Sequence, residues 1–355
     1  MNSPFTSSVN SLMRSAIADH VFPGCVVGVT TIEGTTTIMP YGRFTYDHDA
    51  HLVKPDSVFD VASITKAIPT SSLLLQLIDQ KLVALDDRLF DYVPAFNNPD
   101  RKLVTIHHLL THTLDFGFRL SDHKSSSPSA ILNTILTSPF RTKPGATFFY
   151  ANATSILAGL VVEAVYRKKL DILADEHFFK PLSMNSTTFH PQTIEPERIV
   201  PTENDPWRQR LISGEIHDES AFALRPDTIA GSAGLFSTAP DLLKFCRMLL
   251  CDGVIDGKRY LSTGIIDEIQ KNQLASIAMQ AGLGWELNQP RYMGTSCTPW
   301  RIGKTGFTGC VIIIDKKYNR ACTLLTNYVY PIRKRSTEAI NRIRVALADI
   351  VFTDA

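Results

Sequence analysis

The chain has 355 residues, 44% of them hydrophobic and 20% charged, and its formal net charge is +1. This composition is typical of a globular protein with a large core and excludes a disordered chain. Lys and Arg number 36 against 35 Asp and Glu, so the chain lacks the basic excess of nucleic-acid-binding proteins and we expect no nucleic-acid partner. The length is typical of about two domains.

Apolar stretches are short throughout the sequence. Runs such as residues 73–75 and 311–314 fall far below the roughly 18 residues of a membrane-spanning helix, so we expect no membrane span. The first residues show neither the basic head nor the apolar run of a signal peptide. The six cysteines include no C-x-x-C pair and are too few for a disulfide framework. Reduced thiols and a cytoplasmic location are therefore expected, or a periplasmic one if a leader was removed.

The N-terminal part predicts a helix followed by a β-hairpin. Apolar residues recur every three or four positions from Val9 to Ile17, which is the period of an amphipathic helix. Residues 25–31 and 35–39 are rich in β-branched side chains and flank a Glu-Gly turn. This pattern is typical of two paired strands.

The middle of the chain predicts mainly helices. A β-prone segment at residues 57–61 precedes them, and loops rich in serine (121–129) or proline (191–206) lie between them. Apolar periodicity and helix-start residues predict the helices, which span residues 64–80, 105–112, 128–137, 151–168 and 240–251.

The C-terminal part again predicts strands and a helix. Residues 311–315 and 321–326 are β-prone and flank a polar turn, and apolar positions from Ile340 to Ile350 share one face of a final helix. Since both chain ends predict strands plus a helix, pairing them in one sheet is the simplest arrangement.

The sequence therefore predicts an α+β fold, in which an antiparallel sheet is flanked by the N- and C-terminal helices and joined by a mainly helical domain. We expect residues 1–60 and 285–355 to form the sheet domain from both chain ends. Residues 61–284 would form the mainly helical insertion, with the active site at the interface between the two.

A serine and a lysine three residues apart are the first candidate catalytic pair. Ser63 and Lys66 open a predicted helix, where positions i and i+3 share a face, so the amine can lie beside the hydroxyl. A neutral amine there can take the proton of a serine nucleophile. Ser121 and Lys124 also fit S-x-x-K, but they lie in a polar loop without apolar periodicity, so we choose Ser63.

Two further motifs follow in the chain. Tyr150 and Asn152 form a Y-x-N at a loop-to-helix junction, and Lys304, Thr305 and Gly306 form a K-T-G just before a β-prone segment. A glycine there lets a substrate approach a strand edge closely. Each motif alone is weak, because a half-buried tyrosine and a solvated lysine are ordinary, but the three in this order indicate one site.

With these motifs the sequence resembles the serine β-lactamase and penicillin-binding-protein superfamily, in its class C β-lactamase-like branch. That branch includes D-Ala-D-Ala carboxypeptidases, D-aminopeptidases and esterases, and it has Y-x-N where class A relatives have S-D-N. The resemblance runs from about Gly24 to Asn327 and implies the β-lactamase/transpeptidase-like fold. Further segments that look like this branch are residues 109–113, 143–145, 231–238 and 303–309.

The resemblance implies a two-step acyl transfer. Ser63 would attack a carbonyl, with Lys66 and Tyr150 as the coupled base. Tyr150 would then pass the proton to the leaving group and later activate the deacylating water. The backbone N–H groups of Ser63 and Phe307 would form the oxyanion hole.

The resemblance also implies the substrate contacts. Asn152 would hydrogen-bond the acyl portion, while Lys304, Thr305 and Gly306 would bind a polar group of the substrate. Many hydrolases of this branch have histidine in place of Lys304, and a lysine suits anionic substrates. No metal and no organic cofactor is implied.

The function expected is that of a serine hydrolase acting on an ester or amide. The substrate would be a small molecule or peptide: a D-amino-acid peptide, a β-lactam or a small carboxylic ester. Fold and motif do not select the leaving group. The alternative is a catalytically weak penicillin-binding or sensor protein that acylates without efficient turnover.

Two other readings compete for nearby residues. His107, His108 and His112, with Asp115 following, could face one metal ion, but H-E-x-x-H is missing and no cysteine pair stands nearby. Packing histidines at a helix end are the simpler interpretation. Cys310, just after the K-T-G, is interpreted as a small strand residue rather than a reactive thiol.

Overall fold

The computed structural model describes residues 4–97, 99–334 and 336–353. Its α-helices are α1 (Pro4–Ala18), α2 (Ser72–Asp79), α3 (Leu89–Tyr92), α4 (Ile106–Thr111), α5 (Pro128–Thr137), α6 (Asn152–Tyr166), α7 (Leu170–Ala174), α8 (Glu219–Ala223), α9 (Ala239–Leu250), α10 (Thr263–Gln270), α11 (Pro290–Met293) and α12 (Glu338–Val351). Its strands are β1 (Gly24–Thr31), β2 (Thr36–Gly42), β3 (Phe59–Asp60), β4 (Asn204–Asp205), β5 (Arg210–Leu211), β6 (Phe236–Ser237), β7 (Val254–Ile255), β8 (Lys258–Arg259), β9 (Glu286–Leu287), β10 (Ile302–Thr305), β11 (Val311–Asp315) and β12 (Arg320–Thr326).

One antiparallel sheet is built from both ends of the chain. Its strand order is β2-β1-β12-β11-β10-β9, and the register places Cys25 opposite Thr326 and Ile302 opposite Ile314. Helices α1 and α12 pack on one face, and α9 contacts β1, β11 and β12. The α+β fold with an antiparallel sheet flanked by terminal helices is confirmed.

The sheet is buried on both faces because successive side chains of a strand point to opposite sides. In β1, Val27 joins the apolar cluster of α1 and α12, whereas Val26 joins the larger cluster of the helical region. Gly28 lies under α9, where an added Cβ would be 2.8 Å from Leu243. Glycine at this position therefore permits the close approach of α9 to the sheet.

The helices predicted in the middle of the chain are present except for the first. The predicted helices 105–112, 128–137, 151–168 and 240–251 occur as α4, α5, α6 and α9. The predicted continuous helix 64–80 is wrong: a 3-10 turn at Ala62–Lys66 and a wide turn at Ala67–Ser71 precede α2. Pro69 explains the break, because it lacks an N–H and holds Ile68 in an extended conformation (φ −118°, ψ 111°).

A two-stranded pairing links the helical region to the segment that carries Ser63. β3 pairs with β6, with Phe59 opposite Ser237. The division into residues 1–60 with 285–355, and 61–284, stays a prediction. Within the residues described, no helix has both the length and the apolar character needed to cross a membrane.

Candidate active site

Ser63 lies just after β3, in a segment held from two sides. The carboxylate of the buried Asp60 accepts a hydrogen bond from the backbone N–H of Ala62 (2.8 Å), and Ala62 has a positive φ of 47°. Gly306 passes so close that an added Cβ would be 2.4 Å from the carbonyl oxygen of Val61. A side chain at position 306 would therefore displace the segment that presents the serine.

Lys66 is the neighbour of the Ser63 hydroxyl. Its Nζ is 2.9 Å from Oγ of Ser63, and it donates to Oδ1 of Asn152 (2.9 Å) and to the carbonyl oxygen of Ser232 (2.8 Å). The side chain is only 1% exposed, and this burial lowers the pKa of Lys66 below its ordinary value. A buried amine with a lowered pKa can serve as a base towards the hydroxyl.

Tyr150 lies between two lysines. The Nζ atoms of Lys66 and Lys304 are 5.0 and 4.8 Å from the centre of its ring, and 41% of the residue is exposed towards the cleft. Burial of the hydroxyl raises the pKa of Tyr150, but the charges of Lys304 and Lys66 outweigh it, and the pKa lies below its ordinary value. The two cations therefore favour the phenolate, a proton acceptor.

Asn152 joins the nucleophile to the loop before α8. It is the first residue of α6, and its Oδ1 accepts from Lys66. Its Nδ2 donates to Oδ2 of Asp218 (3.0 Å) and to Oγ of Ser220 (3.3 Å). Both ends of this amide are therefore hydrogen-bonded within the site.

Lys304 is buried and ion-paired. It is 1% exposed, which makes the interpretation as a solvated surface charge wrong. Its Nζ donates to Oε1 of Glu286 on the neighbouring strand β9 at 3.3 Å, and Oε2 of Glu286 accepts from Arg291 at 2.8 Å. Strand β10 thus holds this cation against Tyr150, while Thr305 and Gly306 line the adjoining cavity.

The site opens into two adjoining cavities. One has a volume of about 490 Å³, and its lining includes Asn152 and Arg333. The other has a volume of about 460 Å³, and its lining includes Thr305 and Arg344. Ser63, Tyr150 and Phe307 line both cavities. A substrate attacked by Ser63 can therefore place its two halves in different cavities.

Each cavity also has lining residues of its own. Phe118 and Phe149 line the first. In the second, Arg344 donates to the carbonyl oxygens of Gly306 (3.1 Å) and Cys310 (3.0 Å). Helix α12 therefore holds the turn that follows the K-T-G.

Comparison with known proteins identifies the family. The family model described as Beta-lactamase matches residues 9–347. The chain belongs to the Beta-lactamase family. A putative D-alanyl-D-alanine carboxypeptidase of Escherichia coli K12 is 27% identical over 306 residues, which are 76% of this chain and 69% of that protein. An N-acetylmuramyl-L-alanine amidase of Bacillus subtilis is 27% identical over 311 residues, 78% of this chain and 69% of that protein.

Solved structures agree on the fold of this Beta-lactamase family member. The structure of EstCE1, described as a hydrolase with promiscuous acyltransferase activity, superposes with a TM-score of 0.77. The superposition covers 98% of both chains at 18% sequence identity. At that identity the likeness concerns the fold.

The second S-x-x-K of this Beta-lactamase family member lies at the edge of the same cleft. Ser121 is exposed in a 3-10 turn and lines the first cavity. Lys124 points elsewhere: its Nζ lies 3.9 Å from Oε1 of Glu219 and 5.1 Å from the centre of the Trp207 ring. The choice of Ser63 over Ser121 stays a prediction, and the burial of Lys66 supports it.

The three histidines considered as alternative metal ligands have separate partners. Nδ1 of His108 lies 3.0 Å from the Thr105 hydroxyl at the start of α4, and Nδ1 of His112 lies 2.9 Å from that of Thr154. His107 is hydrogen-bonded to Gln273. Within the described residues, no group of three or more His, Cys, Asp or Glu side chains is arranged to hold a metal ion.

Sequence reasoning missed several residues that contact the site. Asp60 holds the segment before Ser63. Asp218 holds the side chain of Asn152, and Glu286 holds that of Lys304. They lie far apart in the sequence and share no motif. The only available signal was Glu286, whose acidic side chain occupies an otherwise apolar run just before the strand of the K-T-G.

Proposed function

We propose that the chain forms an acyl-enzyme on Ser63 and releases it by hydrolysis. It is a serine hydrolase of the Beta-lactamase family, whose relatives are named carboxypeptidase and amidase. The observation that carries the proposal is the contact of 2.9 Å between Nζ of a fully buried Lys66 and Oγ of Ser63. The substrate is an ester or an amide.

The proposed reaction has two steps. Oγ of Ser63 bonds to the substrate carbonyl carbon while its proton passes to Lys66 and Tyr150, and the backbone N–H groups of Ser63 and Phe307 stabilise the oxyanion. Tyr150 returns a proton to the leaving group as its bond to the carbonyl carbon breaks. In the second step a water gives a proton to Tyr150 and attacks the carbonyl carbon of the acyl-enzyme. The bond from that carbon to Oγ then breaks, Tyr150 returns the proton to Oγ, and the acid leaves.

A peptide that ends in a carboxylate is the proposed substrate. Arg291 and Arg344 line the second cavity. Lys304 is ion-paired with Glu286, which lines the same cavity. These cations suit an anionic leaving group such as a terminal amino acid. The relative from Escherichia coli is named as a carboxypeptidase, which supports the same substrate class. Asn152 would bind the acyl portion in the first cavity.

The experiment that tests this proposal is intact-mass spectrometry after incubation with a fluorophosphonate and, separately, a fluorescent penicillin. We expect one adduct per chain in the wild type and in Ser121→Ala, and none in Ser63→Ala. Turnover of a D-Ala-D-Ala peptide, nitrocefin and p-nitrophenyl esters names the substrate. Labelling that survives Ser63→Ala would overturn the choice of nucleophile, and a stable adduct without turnover would favour a sensor.

We also propose that the enzyme works in the cytoplasm. All six cysteines are free, and the buried ones include Cys25 and Cys246, whose pKa is raised by burial. Free thiols are typical of a reducing compartment. Fractionation of the native host, with this chain recovered in the periplasmic fraction, would contradict the proposal.

A further inference from the structure

Asp218 belongs to none of the three motifs, yet hydrogen bonds connect it to the nucleophile. They run from Ser63 through Lys66 and Asn152 to Asp218. We infer that Asp218 is a positioning residue for acylation, which fixes the Asn152 amide so that Lys66 presents its lone pair to Ser63. This inference rests on the acyl-enzyme proposed above.

The partners of Lys66 decide where its lone pair points. The amide oxygen of Asn152 and the carbonyl oxygen of Ser232 can only accept hydrogen bonds, whereas the Ser63 hydroxyl can accept or donate. A neutral amine has two N–H groups and one lone pair. When Lys66 loses a proton, its two N–H groups stay on the two acceptors, and its lone pair is left facing the hydroxyl of Ser63.

This arrangement requires one orientation of the Asn152 amide. In the observed orientation, Oδ1 faces Lys66 and Nδ2 faces the carboxylate of Asp218 at 3.0 Å. Turning the amide over would bring its NH₂ against the N–H groups of Lys66 and its oxygen against the carboxylate. Both new contacts are repulsive, so Asp218 selects the orientation in which Asn152 accepts from Lys66.

Asp218 is itself fixed at the start of α8. Its Oδ1 accepts from the backbone N–H of Ala221 (2.8 Å) and from the hydroxyl of Ser220 (2.6 Å). Because Ser220 uses its hydrogen on Asp218, its oxygen is the acceptor for Nδ2 of Asn152. The helix start thus presents two acceptors, and no donor, to the amide of Asn152.

The charge of Asp218 also acts on Lys66. Burial lowers the pKa of Lys66, Tyr150 raises it, Lys304 lowers it, and Asp218 raises it. Loss of the Asp218 charge therefore lowers the pKa of Lys66 further. The acid limb of a pH–rate profile moves to lower pH in that case, because the neutral amine forms at lower pH.

The test compares wild type with Asp218→Asn. Asparagine retains a capping acceptor for α8, but it removes the charge and offers Asn152 an amide donor as well as an acceptor. We expect the rate of Ser63 labelling by a fluorophosphonate to fall about 10- to 100-fold at neutral pH. With a substrate that the enzyme hydrolyses, we expect kcat to fall by a larger factor than KM rises. We also expect the acid limb of the pH–rate profile to move to lower pH.

A double mutant distinguishes action through Asn152 from direct action on the substrate. In the Asn152→Ala background, we expect Asp218→Asn to change the labelling rate by less than about threefold, because its target is already gone. Independent, multiplying losses would overturn the inference. Asp218→Asn with an unchanged rate and profile would do the same.

Asp241→Asn is the matched control for loss of a buried carboxylate. Asp241 is 4% exposed and accepts from the backbone of Ser186 and the hydroxyl of Thr187. We expect Asp241→Asn to lower the melting temperature without moving the acid limb. If the control moves the limb as Asp218→Asn does, the effect is general and the inference fails. A wild type that forms no adduct on Ser63 would instead overturn the proposed function.

Discussion

Two buried lysines flank Tyr150, and they differ in what surrounds their charge. Lys304 has the carboxylate of Glu286 at 3.3 Å, whereas Nζ of Lys66 contacts an amide oxygen, a carbonyl oxygen and the Ser63 hydroxyl. An ion pair favours the charged form of a lysine, and burial among neutral groups favours the uncharged form. Lys66, whose pKa is lowered by burial, can therefore accept a proton, while Lys304 brings its ion-paired amine next to the ring of Tyr150.

Replacement of Lys304 tests this division. Lys304 lowers the pKa of both Tyr150 and Lys66, and its loss leaves the Glu286 charge, which raises the pKa of Tyr150. We therefore expect Lys304→Met to move the acid limb of kcat/KM to higher pH, with about a 10- to 100-fold loss at neutral pH. The measurement is the pH profile of kcat/KM.

Lys124→Met is the control for that profile. Lys124 lies next to Glu219 and Trp207, and we expect its loss to leave the acid limb in place. An unshifted limb in Lys304→Met would show that Lys304 does not set the protonation of Tyr150 and Lys66.

At the residue scale, the sequence could propose candidates whose chemistry lies within a short motif. Ser63 with Lys66, and Tyr150 with Asn152, could be named because each spacing can bring two side chains into one cleft. Asp218 was not, because its partner Asn152 is 66 residues away and only the folded loops bring them together. Motif spacing carries no information about such long-range hydrogen bonds.

At the element scale, the short strand β3 joins three parts of the site. The Asp60 carboxylate accepts from the backbone N–H groups of Ala62 and His217, at 2.8 Å each. The Asp60 carbonyl oxygen accepts from the hydroxyl of Thr308 (2.8 Å). One residue thus holds the segment of Ser63, the loop of Asp218 and the turn after the K-T-G at fixed separations.

Truncation of Asp60 should destabilise the protein. Asp60→Ala leaves two buried N–H groups without their acceptor, and each costs about 1–3 kcal/mol. We therefore expect the free energy of unfolding to fall by about 2–6 kcal/mol, together with slower labelling of Ser63. Denaturant titration measures the first, and a fluorophosphonate time course the second.

Asp19→Ala serves as the control for Asp60→Ala. The carboxylate of Asp19 contacts Ser15 in an exposed position, so we expect a change below about 0.5 kcal/mol. Equal destabilisation by the two replacements would contradict the role of Asp60.

Elements with strong periodicity were predictable, and those shaped by one residue were not. The helix predicted over residues 64–80 begins only at Ser72, because Pro69 interrupts the backbone hydrogen bonds. The signal was present in the sequence, but apolar periodicity through Leu73 and Leu77 outweighed it in the prediction. Ser63 and Lys66 instead share the 3-10 turn that precedes this break.

At the scale of the whole molecule, a buried charged group connects the C-terminal segment to the helical region. Oε1 of Glu203 lies 2.7 Å from Nε2 of His217 and 2.7 Å from Nη2 of Arg333. Nη1 of Arg333 lies 2.9 Å from Oε1 of Glu219. Since Arg333 also lines the first cavity, this group fixes one wall of the cleft.

The group predicts a loss of stability in acid. Burial raises the pKa of Glu203, but contacts with His217 and Arg333 outweigh it and lower the pKa from 4.5 to about 2. The stabilisation is thus present above pH 4.5 and is lost as the pH falls towards 2. We expect Glu203→Gln to cost at most about 3 kcal/mol at neutral pH and progressively less below pH 4.5.

Urea titrations of wild type and Glu203→Gln across this pH range measure the difference directly. Glu197→Gln, a change in an exposed side chain, is the control and should give a small difference at every pH. A difference between wild type and Glu203→Gln that does not shrink in acid would contradict the assignment.

The sheet made from both chain ends has a consequence for synthesis on the ribosome. The Thr326 hydroxyl donates to the Gly24 carbonyl across 302 residues of sequence, so β1 and β2 emerge long before their partner β12. Local contacts of the helical region can form early, whereas the sheet must wait. A nascent chain that ends before residue 304 has Ser63 and Lys66 but not the K-T-G strand, so we expect acylation to require synthesis of the chain beyond that strand.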